Sequence, residues 1–328
     1  MLWSGRLLLG VGLALLANEA AAHGPPSADQ LAWHPAQPDV IGVSTTHSLA
    51  ATSDGGEAWS LTCEEGIGLG GEAHPRLVLT ADGRFVAGLA GGPVMSHSQA
   101  CGYAPIAEMA GLFAVDLRRV GPSRVVILAR NVDALTYEVW LSDDDGASFV
   151  EVVSTLGPKF HGRSALTAGD RLYVAGTTAA DEGVAAVLVG ELDDLAAGGT
   201  LTEHFIGEPP PAGGAAIIGV DPDDVDHVFA AVYEAPGRVY ESSDGGVSWS
   251  LLHSVSGDLT GVTLSASGDR LAAAGALSGV WLRELGSGIE SSYPDVLASC
   301  LTYVGDELWV CRRASAASIS VGVLADGR

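Results

Sequence analysis

Lysine is almost absent. The 328-residue chain has one, Lys159, and 16 Lys and Arg together against 40 Asp and Glu, a formal net charge of −24. Neutralising phosphates needs a basic stripe, and none is present, so nucleic acid and anionic membrane surfaces are excluded as partners. The acidic residues are scattered rather than run together, which fits a solvated surface. No long stretch repeats apolar residues at helical spacing, which argues against a helical bundle. No C-x-x-C pair occurs, which removes zinc and dithiol redox chemistry. Beyond the N-terminus, no apolar run is long enough to cross a bilayer.

Arg6, the apolar run Leu7 to Ala17 and Ala20-Ala21-Ala22 form a signal peptide over residues 1–22. The mature chain, 23–328, is expected to be secreted or periplasmic, a monomer, and one domain. Glycine is plentiful at 44 residues, the mark of many turns and short strands.

One turn is written repeatedly. Ser242-Ser243-Asp244-Gly245-Gly246-Val247-Ser248-Trp249 shares its spacing with Thr52-Ser53-Asp54-Gly55-Gly56-Glu57-Ala58-Trp59 and with Ser142-Asp143-Asp144-Asp145-Gly146-Ala147-Ser148-Phe149. A worn copy runs from Ser96 to Tyr103. Asp and the hydroxyl accept backbone N–H groups inside such a turn, Gly supplies positive φ, and the aromatic anchors the next strand. The pattern resembles the Asp-box, or BNR, repeat of β-propellers such as sialidases, sortilin-type receptors and photosystem II assembly factors. That resemblance implies that Thr52, Asp54, Gly56, Trp59, Ser142, Asp144, Gly146, Phe149, Ser242, Asp244, Gly246 and Trp249 are structural and lie away from the ligand site.

A second repeat interleaves with the first. Hairpin turns centred near Gln37, Asp82, Gly121, Gly169, Asp224, Gly268 and Gly305 recur every 37 to 55 residues, the length of a propeller blade. The expectation is an all-β, seven-bladed β-propeller of four-stranded antiparallel blades, over 30–63, 74–104, 112–155, 163–206, 214–254, 260–290 and 298–328. The repeated turns join third and fourth strands. The last blade is one strand short, and residues 24–30 are expected to supply it, hiding an exposed edge.

The four cysteines are an even number in an exported chain, so disulfides are expected. Gly305-Asp306 is centred between Cys300 and Cys311, so these two face each other across paired strands and bond. Cys63 and Cys101 remain as partners by elimination, although aligning the repeated turns offsets them by six residues, about 20 Å along ideal strands.

Sialidase chemistry is not expected. The chain has no Arg-Ile-Pro and no Arg at all between His23 and Pro75, and nothing singles out Tyr137, Tyr233 or Tyr240 as a nucleophile. Asp143-Asp144-Asp145-Gly146 fails the EF-hand spacing because Leu141 falls where an oxygen ligand is needed, and Asp221 to Asp226 is ordinary turn composition. No cofactor or metal site is expected, with calcium only as an adventitious ion. His23 as a mature N-terminus lacks a spaced second histidine for a copper brace.

The remaining candidate is a recognition surface on the face opposite the repeated turns. Lys159-Phe160-His161-Gly162-Arg163, read as a blade-to-blade loop, gathers positive charge there, and His74, Arg76, Tyr233, Glu234, Arg312 and Arg313 are expected beside it. The chain is therefore expected to be a non-catalytic scaffold that binds a protein or glycan ligand. The alternative is a carbohydrate-active hydrolase diverged from the sialidases. An assembly factor resembling the photosystem II one needs a basic groove, which sits poorly with a charge of −24.

Overall fold

The structure is a computed structural model that describes residues 28–45, 48–63, 67, 75–89, 91–98, 101–157, 159–178, 183–313 and 319–324. The first blade is β1 (Ala28–Trp33), β2 (Ile41–Thr45), β3 (Ser48–Thr52) and β4 (Ser60–Cys63). The second is β5 (Arg76–Leu79), β6 (Phe85–Gly88), β7 (Val94–Ser98) and β8 (Cys101–Pro105), and the third β9 (Leu112–Val120), β10 (Arg124–Asn131), β11 (Thr136–Ser142) and β12 (Val150–Val153). The fourth is β13 (Phe160–Ala168), β14 (Arg171–Thr178), β15 (Ala185–Glu191) and β16 (Thr202–Phe205), with helix α1 (Leu192–Ala196) where the repeated turn is lost. The fifth is β17 (Ala215–Asp221), β18 (Asp224–Val232), β19 (Arg238–Ser242) and β20 (Ser250–Ser254). The sixth is β21 (Leu259–Leu264), β22 (Arg270–Gly275), β23 (Gly279–Glu284) and β24 (Glu290–Tyr293). The last sheet is β25 (Ala298–Val304), β26 (Glu307–Arg313) and β27 (Ile319–Val323).

The expectation of seven four-stranded blades is therefore corrected. Six blades are four-stranded, and the β25–β27 sheet has three strands among the described residues. The expected repair by residues 24–30 is corrected as well. Ala28 and Gln30 pair with Thr45 and Ser44 inside the first blade, while residues 24–27, like the proposed signal segment 1–22, lie outside the described residues.

Blades pack through their second strands, which are buried on both faces and read as continuous apolar runs. Residues Val125 to Ala129 of β10 are all fully buried. Val125 and Ile127 pack toward Val78 and Val86 of the second blade, while Val126 and Leu128 pack toward Ala165 and Leu172 of the fourth. This two-residue alternation repeats around the ring. Where the three-stranded sheet meets the first blade, Leu31 and Val43 pack on Cys300 and Cys311, and Trp33 lies 5.2 Å from Trp309.

Cys300 and Cys311 pair in register and form the disulfide, with Cα atoms 4.9 Å apart, as their symmetric spacing around Gly305-Asp306 requires. Cys63 and Cys101 end β4 and begin β8, but their side chains lie outside the described residues.

The three intact turns join third to fourth strands and share one hydrogen-bond circuit. Ser142 Oγ donates to Asp144 Oδ1 at 2.7 Å and accepts from Gly146 N–H at 2.7 Å, while Ser148 N–H donates to Asp144 at 2.8 Å. Thr52, Asp54, Gly56 and Ala58 repeat it, as do Ser242, Asp244, Gly246 and Ser248. Phe149 packs with Val78 and Val86 of the preceding blade. Trp59 and Trp249 close the circuit differently, donating their indole N–H to the Gly56 and Gly246 carbonyls.

The Ser148 hydroxyl and N–H, then the Ser142 hydroxyl, hold Asp144 down from 3.8 to about 2. A folded-state value below the unfolded one means that the turn is fully stabilised above about pH 4 and loses that contribution as pH falls toward 2. Asp144→Asn is expected to cost about 1 kcal/mol at neutral pH. The gap between mutant and wild-type melting temperatures should close between pH 4 and pH 2. A gap that persists undiminished at pH 2 contradicts this account of the turn.

On the same face, arginines at the start of second strands clasp the next blade. Arg124 donates to the Gly169 carbonyl at 2.8 Å, Arg171 to Asp226 at 2.5 Å, and Arg270 to the Asp306 carbonyl at 2.9 Å. His34 makes the equivalent contact to the Ala81 carbonyl at 3.1 Å.

Candidate functional site

The inner strands surround a central channel of about 760 Å³. An irregularity in these strands decides what enters it. In six of them the register to the second strand slips by one residue, a β-bulge that re-aims a side chain. The extra residues are Asp29, Val115, Arg163, Ile218, Thr260 and Ser299, of which the last four line the channel. Arg163 alone among those four is charged.

The bulge at Arg163 is made possible by glycine. Gly162 faces Gly176 across the β13–β14 pair, and a Cβ on Gly176 would lie 2.1 Å from the His161 carbonyl oxygen. Arg163 stacks over the Tyr233 ring at 4.8 Å and reaches Glu234 at 3.3 Å. Glu234 is oriented by accepting the Gly214 N–H at 3.1 Å. Arg76, the first residue of β5, lines the same channel and has no hydrogen-bond or ion-pair partner among the described residues.

Deeper groups serve the scaffold. Asp116 is buried, accepts the Ala165 N–H at 3.2 Å and pairs with Arg118 at 2.8 Å, and Arg118 also reaches the Ile218 carbonyl. Arg119 is held by the Leu79 carbonyl, Asp145 and the Pro122 carbonyl. The Gln30 side chain bridges both backbone groups of Leu77, and Thr260 donates to the Ala298 carbonyl at 2.6 Å. These contacts stitch inner strands of neighbouring blades.

Of the sequence-derived candidates, Arg76, Arg163, Tyr233 and Glu234 are brought together around the channel, the last through its contacts with Arg163 and Gly214. Lys159 and His161 are exposed at the start of β13. The reading of 159–163 as a loop is corrected: Phe160 to Arg163 belong to β13, and only Lys159 precedes the strand. His161 meets Tyr137 edge-on at 6.1 Å. His74 lies outside the described residues, and so do the side chains of Arg312 and Arg313. Tyr240 lines a separate cleft between the fourth and fifth blades, with Phe205 and Trp249. Sequence reasoning missed Arg130, which sits in the middle of a run that reads only as a strand. Its guanidinium lies 5.8 Å from the Tyr137 ring, and its Nε is buried with no partner.

Charge pairing divides the two faces. At the repeated turns, Arg84 pairs with Asp82, Arg119 with Asp145, Arg124 with Asp143, Arg171 with Glu191 and Asp226, and Arg270 with Asp306. The Glu191 carboxylate first, then the Tyr173 hydroxyl and Asp226, push the Arg171 pKa upward. Toward the opposite face, Arg76, Arg130, Lys159 and Arg238 have no carboxylate partner among the described residues. Also among the described residues, no group of three or more His, Cys, Asp or Glu is arranged to hold a metal, and no helix is long and apolar enough to cross a membrane.

No family model matches the sequence, and no curated protein matches it. Solved structures do share the fold, all at low identity. Hydrazine synthase of Kuenenia stuttgartiensis is similar at 11% identity and a TM-score of 0.64, over 92% of this chain and 96% of that one. YCF48 bound to D1 peptide is similar at 10% identity and a TM-score of 0.60, over 93% and 94%. The GH74 xyloglucanase from Xanthomonas campestris is similar at 15% identity and a TM-score of 0.55, over 79% of this chain. This chain spans only 45% of the xyloglucanase. The fold is a β-propeller.

Proposed function

We propose that this chain is an exported, non-catalytic propeller of the Asp-box type that binds an acidic ligand at the channel mouth opposite the repeated turns. One observation carries the reading. In a chain with 40 acidic residues, Arg76, Arg130, Lys159 and Arg238 toward that face have no carboxylate partner among the described residues, and Arg163 has only the exposed Glu234, while the arginines at the turns are paired. An uncompensated arginine beside an open channel favours an anion, and its hydrogen bonds to a carboxylate are the stronger, charge-assisted kind. A protein ligand is favoured over a glycan, because YCF48, which shares the fold, is bound to a peptide.

The test is selection from a displayed library of random twelve-residue peptides, with polygalacturonate as an acidic glycan and chromogenic glycosides as substrates. Acidic peptides are expected to be enriched. Arg76→Glu and Arg163→Glu are each expected to weaken binding of a synthesised winner about tenfold or more, since a hydrogen bond to a charged group contributes about 1.5–3 kcal/mol. Binding that survives both substitutions refutes the channel mouth as the site. Glycoside turnover would move the reading to the hydrolase alternative.

A further inference from the structure

Cross-strand pairing lines up a row of side chains over the third blade. Phe113 of β9 faces Arg130 of β10, which faces Tyr137 of β11. Residues directly opposite in antiparallel strands project from the same side of the sheet. His161 of β13 meets Tyr137 edge-on, and Arg163 follows two residues later, so the row leads to the channel mouth.

The tip of the β10–β11 hairpin stands just beyond this row, above the Asn131–Thr136 pair. Asn131 Oδ1 accepts the Ala134 N–H at 3.0 Å and fixes the turn. Two large apolar side chains project there, Val132 at 53% and Leu135 at 64% exposure, and Phe113 is 37% exposed. Leu135 holds a φ of 55°, a left-handed conformation that glycine adopts without strain. A strained, exposed leucine at a loop tip gives the fold nothing that glycine would not give better. Exposed apolar residues grouped beside unpaired cations match a partner that carries both acidic and apolar side chains.

We propose that the ligand is a peptide segment running outward from the channel over the third blade, with a carboxylate on Arg130 and an apolar side chain against Phe113, Val132 and Leu135. This rests on the channel mouth being a binding site. The occupant is a peptide because an acidic glycan has no apolar side chain for the tip.

The probe is the winning twelve-residue peptide from the displayed library, synthesised with a fluorophore and titrated by anisotropy against the intact protein. Winners are expected to combine acidic with apolar residues. Leu135→Asp is expected to weaken binding about tenfold with the melting temperature unchanged, and Arg130→Gln several-fold. Leu135→Gly should raise the melting temperature by relieving the left-handed strain and still weaken binding, a combination that a purely structural role does not produce. Leu277→Asp, at a still more exposed leucine on the sixth blade, should leave affinity unaltered. Winners that are acidic without apolar residues, or affinity unaltered in both Leu135 variants, overturn this inference alone. Loss of binding in Arg163→Glu then still upholds the channel mouth, whereas binding that survives Arg76→Glu and Arg163→Glu overturns both.

Discussion

Replacing Cys300 and Cys311 together by alanine is expected to lower the stability of the fold by about 3 kcal/mol. The disulfide closes a loop of roughly ten residues, and the entropy removed from the unfolded chain by a loop of that size corresponds to about this value. Its position adds to the effect. Both sulfurs belong to the apolar cluster that joins the three-stranded sheet to the first blade, with Leu31 and Val43 across the seam. Among the described residues that sheet has the fewest strands, so loosening β25 from β26 loosens the closure of the ring. In a domain of about 300 residues the melting temperature should fall by roughly 5 °C. The wild type melted with reductant should match the double mutant. An unchanged melting temperature in the double mutant contradicts a structural role for the bond.

Gly176→Ala is expected to cost about 3 kcal/mol or more. Overpacking a tight core usually costs about 1–3 kcal/mol, and here the obstacle is a backbone carbonyl at 2.1 Å rather than a side chain that can turn aside. The only relief is to part β13 from β14 at the bulge, which would carry Arg163 off the Tyr233 ring. Binding and stability should therefore fall together. Gly169→Ala is the control: it has a φ of 57° and open space around its Cβ position, so its cost is about 1 kcal/mol of backbone strain. Equal melting temperatures for the two variants would refute the close approach as the origin of the bulge.

Much of the architecture was legible because blades repeat. Gly/Asp hairpin turns and hydroxyl-x-Asp turns recur at blade length, and the register around Gly305-Asp306 placed Cys300 opposite Cys311. That the last sheet is one strand short among the described residues was legible too, but the pairing of the segment ahead of Leu31 was not. Residues 28–30 read as a spare segment, yet their hydrogen bonds go to β2, because Leu31 and Ala32 must face the cores on either side of the first blade. The site was legible only in part. Arg76, Arg163, Tyr233 and Glu234 follow from propeller connectivity, but the device that aims Arg163 does not. One extra residue in a nine-residue strand leaves composition untouched and merely shifts the phase of burial, which in β13 breaks at the buried pair Ser164-Ala165. Arg130 was invisible for a related reason. Whether a mid-strand arginine has a carboxylate partner depends on three-dimensional neighbours, not on sequence spacing.

The most direct measurement is amide hydrogen exchange on the intact protein with and without a saturating amount of the selected peptide. The channel-mouth account predicts added protection at Lys159–Ser164 and Tyr233–Glu234, and the third-blade inference predicts it also at Arg130–Tyr137. The repeated turns at Asp54–Trp59 and Asp244–Trp249 should exchange at the same rate in both samples. Protection confined to those turns would place the ligand on the opposite face and contradict the account.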